Sequence, residues 1–177
     1  MKTKFLIFIL VFITTFGSSA ALTKFFVGNS APAAPFELFK RNVDGQTQQK
    51  ILSLLRQDIR NGREMRSKLC QAGFYKNPLT PASLAAYSKA VTEYQAKSAS
   101  INDNDLPADF QSAWREHLAA WHDHTTFAAE MSKSAQTSAL SADEIAAEFK
   151  DEDSDIDPTW YQVLDIADDY DASPYNQ

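Results

Sequence analysis

Histidine is the residue type here best suited to chemistry, and all three, His117, His122 and His124, fall within eight residues. Imidazole binds transition metals and serves as a general base near neutral pH. Two ligands on one helix normally stand four residues apart, but Trp121 lies four after His117 and Ala120 four before His124. His122 and His124 would project about 200 degrees from one another, and His117 and His124 would share a face about 10 Å apart along the axis. No pair chelates alone, so a transition-metal site on the His117/His124 face needs ligands from another helix. The plainer expectation is structural: His117 packs between Trp114 and Trp121, with the other two histidines exposed.

A second constellation is the acidic loop from Asp151 to Asp157, in which Asp151, Asp153 and Asp155 alternate as oxygen ligands for a hard cation could. Counted from Asp151, however, Ile156 stands where a calcium-binding helix-loop-helix needs glycine, and Gln162 stands where it needs a bidentate glutamate. Counted from Asp153, those positions hold Pro158 and Leu164. The loop is expected to be at most a weak calcium site, and otherwise a solvated turn in which Asp157 caps the next helix.

The third constellation is cationic. Arg56, Arg60 and Arg63 recur at helical steps and make a basic ridge beside an apolar stripe. The ridge reads either as a solvated face or as a binding surface for an acidic partner. Between Lys40 and Lys76 nine basic residues face three acids, whereas from Ser141 to the end twelve acids face one lysine. Those two segments are expected to attract each other, within one chain or between copies. The whole chain carries a net charge of −6, which argues against a nucleic-acid partner.

Enzyme signatures are missing: there is no glycine-rich phosphate loop, no G-x-S-x-G, no H-E-x-x-H and no C-x-x-C-H. No cofactor is implied. The single cysteine, Cys70, has no partner for an internal disulfide, so stability must come from packing.

The elements that would position these residues are helices. Thr47 is expected to cap a helix running to about Gln71, with Ile51, Leu55, Ile59, Gly62, Met65 and Leu69 in one stripe. Thr80-Pro81 opens a second helix bearing Leu84, Tyr87, Val91 and Tyr94. Pro107 opens the strongest one, with Phe110, Trp114, Leu118, Trp121, Thr125 and Ala128 facing inward. Ser141 with Glu144 forms a capping box before Ile145, Ala146 and Phe149, and Asp157-Pro158 starts a last helix with Trp160, Val163, Leu164, Ala167 and Tyr170 inward. The fold class expected is all-α, a small bundle of about five to six helices following a cleaved signal peptide.

Lys2 and Lys4, the apolar run from Phe5 to Phe16 and the small residues Gly17 to Ala21 have the order of a secretory signal. The organisation expected is a signal peptide at 1–20, a partly ordered arm at 21–46 and one helical domain at 47–177. Size and composition suit one soluble domain with no membrane span after cleavage. The functional expectation is an exported, periplasmic or secreted, non-enzymatic binding or interaction domain of the bacterial cell envelope. Its partner would be an envelope protein or a second copy, and the alternative is a periplasmic metal-binding protein. Intact mass of the exported protein should place its first residue at Ala21 or Leu22; full-length chain in the membrane fraction would overturn the cleavage.

Overall fold

The computed structural model describes residues 44–76, 79–152 and 154–175. The expected signal peptide, most of the expected arm and Asp153 lie outside the described residues. The rest is all-helical, with no strand among the described residues. Five helices appear there: α1 (Gly45–Gln71), α2 (Pro81–Ala99), α3 (Ala108–Gln136), α4 (Ala142–Asp151) and α5 (Ile156–Asp169). None of the described helices is long and apolar enough to cross a membrane.

The caps explain most of the boundaries. Thr80 and Ser141 each accept a bond from the backbone N–H three residues on, and Ser83 and Glu144 reciprocate as capping boxes. Two starts differ from expectation. The cap of α1 is Asp44, whose carboxylate takes both the N–H and the hydroxyl of Thr47 at 2.8 Å, so Thr47 belongs to the first turn. A carboxylate at that place also suits the helix dipole. In α5 the capping position is Asp155 rather than Asp157. The Thr159 N–H bonds the Asp155 carbonyl at 3.0 Å, and Pro158 fits the first turn because its missing N–H would have no partner there.

Neighbouring helices run antiparallel around α3. Tyr94 packs on Trp121 and Tyr87 on His124, so α2 descends where α3 rises. The Tyr170 hydroxyl bonds Asp109 while His117 meets Trp160, which runs α5 against α3 in the same sense. One interior cluster joins α1, α3 and α5 through Ile51, Leu55, Phe110, Trp114, Val163 and Ala167. A second gathers Leu84, Met131, Ala135 and Ile145 beneath α4, and a third joins Leu69, Phe74 and Ala90. Each such aliphatic side chain withdrawn from water contributes about 1.5 to 3 kcal/mol.

The inward face of α3 is not quite the expected one. Leu118 and Thr125 are only half-buried, and His117 and His124 take the interior positions between the tryptophans and Ala128. Steps of three and four starting at Phe110 reach Ala113, Trp114, His117, Trp121, His124 and Ala128, and that stripe is the one buried. On α1 the interior stripe likewise takes in Asp58 and Asn61.

Gly62 sits in the middle of α1, and a Cβ there would meet Tyr94 Cε2 at 3.7 Å, ordinary van der Waals contact. Glycine inside a helix costs roughly 0.5 to 1 kcal/mol relative to alanine. Gly62→Ala should therefore raise the melting temperature by roughly 2 to 4 °C. A lower melting point would mean that α1 and α2 need a closer approach at this position.

Candidate functional site

The chemistry-bearing side chains fall into an interior set and a surface set. His117 is fully buried in the interior. The Trp121 indole N–H donates to its Nε2 at 3.2 Å, which leaves the ring proton on Nδ1, and Nδ1 lies 3.1 Å from the Thr159 hydroxyl oxygen. That hydroxyl in turn donates to the Asp155 carbonyl at 2.6 Å. Burial pushes the His117 pKa down to about 4, partly offset by a bond to the Ile156 backbone. His117 is thus a neutral stitch between α3 and the start of α5.

His124 departs from expectation: it is 4% exposed instead of surface-borne. Its Nε2 lies 2.6 Å from the Tyr87 hydroxyl, and its Nδ1 lies 2.5 Å from Glu152 Oε1. Burial, and next the Glu152 charge, push the Tyr87 phenol well above its ordinary range. The phenol therefore keeps its proton and shares a hydrogen bond with Nε2, while Nδ1–H donates to the carboxylate. The rings of Tyr87, Trp121 and Phe127 flank the imidazole at centroid distances of 5.8, 5.8 and 6.0 Å. His122 is exposed.

His117 and His124 share one face of α3, but each has both ring nitrogens engaged by its own set of partners. In the acidic loop, Asp151 ends α4 and Asp155 precedes α5, both exposed, while Glu152 turns to His124. Among the described residues no group of three His, Cys, Asp or Glu side chains stands where it could share a metal ion. Cys70 is free and exposed on α1.

A third interior group was not anticipated. Asp58 is buried on α1, where it accepts the Tyr94 hydroxyl at 2.9 and 3.0 Å and the Ser98 hydroxyl at 2.5 Å. Asn61 donates to the same Ser98 at 3.2 Å and accepts from Gln57 at 3.0 Å. Burial pushes the carboxyl pKa up to about 6 against the pull of its two hydroxyl donors. The signal for it was present: Asp58 follows Leu54 and Leu55 at helical spacing, so a carboxylate had to stand in the apolar stripe.

On the surface, Arg60 and Arg63 are exposed and Arg56 is half-buried. Arg60 donates to Gln57 at 2.6 Å. The ion pairs that join α1 to α2 lie elsewhere, between Lys68 and Glu93 and, at 2.6 Å, between Lys97 and Glu64. Tyr161 and Tyr175, 44% and 47% exposed, are the large hydrophobic side chains that stand out among the described residues. The Tyr175 phenol is near enough to Arg63 and to Tyr161 to feel both. Compared with protein families, curated proteins and solved structures, the chain matches none.

Asp58 and His117 give opposite pH dependence. Asp58 binds its proton more tightly folded, near pH 6, than unfolded, near pH 4. Its contribution to stability is complete below about pH 4 and is lost as pH rises through 6. His117 is the reverse: folded at about 4 and unfolded near 6.5, it contributes above pH 6.5 and is lost as pH falls through 4. Asp58→Asn should therefore gain roughly 2 kcal/mol relative to the parent protein between pH 4 and 7, and His117→Gln should gain relative to it as pH falls over the same window. Denaturant melts across that range measure both differences; two flat lines would show that neither group is held as described.

Proposed function

We propose that this chain is an exported, non-enzymatic helical interaction domain of the cell envelope that docks an acidic partner on the exposed ridge of α1. The observation that carries this reading is the state of the ridge. Arg60 and Arg63 stand exposed with no carboxylate in ion-pair range among the described residues, whereas Lys68, Lys97 and Arg115 each have one. Of the two exposed tyrosines, Tyr175 lies near Arg63 of the ridge, and arginine and tyrosine are residue types that dominate binding energy in protein interfaces. Arginine also presents a fork of donors that matches a carboxylate in two places at once.

The interior supports a non-enzymatic reading from the other side. The ring nitrogens of His117 and His124 and the carboxylate of Asp58 are spent on bonds within and between helices. Export rests on the order of residues 1–21, basic then apolar then small.

Polyglutamate is a suitable acidic probe. The mature protein should bind it at low salt, and Arg56→Gln/Arg60→Gln/Arg63→Gln should weaken binding by roughly tenfold or more, with both proteins indifferent to it at about 1 M salt. Equal binding by parent and triple variant at low salt would remove the ridge as a docking surface.

A further inference from the structure

We infer that the acidic partner of the ridge is a second copy of this chain, joined through a self-complementary patch made by α1, α5 and the segment after α5. The inference rests on the proposed interaction role and adds the identity of the partner.

The patch has three strips. The first is the ridge of α1, with Arg60 and Arg63 exposed. The second is acidic and lies on α5, where Asp157, Tyr161, Asp165 and Asp168 follow one another at steps of four, four and three and so share one side of the helix. Tyr161, Asp165 and Asp168 are exposed and Asp157 is half-buried. Among the described residues neither Asp165 nor Asp168 has a cationic partner in ion-pair range, which is equally true of Arg60 and Arg63. The third strip is aromatic and consists of Tyr161, shared with the acidic strip, and Tyr175. α1 and α5 share one interior cluster, Gln48 donates to the Asp171 carbonyl at 2.6 Å just after α5, and the Tyr175 phenol is near enough to Arg63 and to Tyr161 to feel both.

Positive, aromatic and negative strips side by side are complementary to themselves after a half-turn. A two-fold axis through the tyrosines sets the ridge of each copy on the acidic strip of the other, so every contact occurs twice, as an isologous interface requires. The exposed tyrosines then meet at the centre, where apolar area is withdrawn from water, and the charges form the rim, where they select the partner and its orientation. Within one chain Arg60, Arg63, Asp165 and Asp168 have no opposite charge in ion-pair range among the described residues, and a second copy supplies one to each.

Sedimentation equilibrium of the mature protein tests this with paired charge reversals. The parent protein should be dimeric at about 0.1 M salt and monomeric near 1 M, where screening falls to about 3 Å. Arg60→Glu/Arg63→Glu should weaken association at least roughly tenfold, as should Asp165→Lys/Asp168→Lys, because each sets like charges against one another at both ends of the interface. Mixed in equal amounts, the two variants should recover a dimer, since a heterodimer restores opposite charges at both contacts; an unfolded variant could not do so. A parent protein that remains monomeric, a dimer indifferent to either reversal, or a mixture that fails to associate would each overturn the inference. A monomer that still binds polyglutamate through the ridge would leave the acidic-partner reading standing, and loss of both activities would overturn both.

Discussion

A ring N–H withdrawn from water must find an acceptor, and α3 turns four heteroaromatic rings into the interior: Trp114, His117, Trp121 and His124. Much of the bundle follows from how that demand is met. Trp121 donates to His117 one turn back on its own helix, which leaves the other nitrogen of His117 to reach α5 at Thr159. His124 reaches α2 through Tyr87 and the end of α4 through Glu152. One helix thus holds three neighbours by directional bonds set inside an apolar surround, where such bonds gain strength and a missing one costs more. Trp114 is the exception, since its Nε1 is buried with no partner among the described residues, and its large ring contributes by packing.

The second constraint is the Asp58 carboxylate, which fixes α1 against α2. Burying a carboxyl group is unfavourable by itself, as its raised pKa records. Removal of either hydroxyl donor would leave it worse off, so the arrangement penalises every register of the two helices except the one that brings Tyr94 and Ser98 to it. Apolar side chains alone would discriminate less, because a stripe of leucines slides by one turn at modest cost. The ion pairs Lys68–Glu93 and Lys97–Glu64 mark the same register outside, where solvent screens them and their contribution is small.

Features that depend on a few consecutive residues were legible in the sequence. The helical starts at Thr80-Pro81 and after Pro107, the capping box at Ser141 and the inward tryptophans follow from short-range patterns. Where two local signals compete, the nearer one misleads: Thr47 looks like the cap of α1, a position that Asp44 holds, and Asp157 before proline looks like the cap that Asp155 occupies. The interior polar groups were hidden for a different reason. Nothing near His124 in sequence announces Tyr87 or Glu152, which lie 37 and 28 residues away, and Asp58 meets Tyr94 across 36. A polar residue on an apolar stripe signals only that a partner must exist; which partner it is depends on how the helices pack. The basic ridge was visible from spacing, but its relation to Tyr161 and Tyr175 arises only when α5 and the chain after it fold back along α1.

The two ends of the molecule are anchored very differently, and this bears on where recognition belongs. α4 is 10 residues long with a single buried side chain, Ile145, and its C-terminal end is tied to the bundle by the Glu152–His124 contact. An element with so little buried apolar area opens at low free energy. The edge formed by α1 and α5 is the contrary case, with Ile51, Leu55, Val163, Ala167 and Ala172 fully withdrawn from water directly beneath the arginine, tyrosine and aspartate strips. Side chains mounted on such a base lose less freedom when a partner arrives than side chains on a helix that must first be ordered. Exposed arginines and tyrosines on α4 would have to offset the cost of holding α4 in place; on α1 and α5 that cost is already met by the core. The surface best suited to recognition by its chemistry is therefore also the one best suited to it by its support.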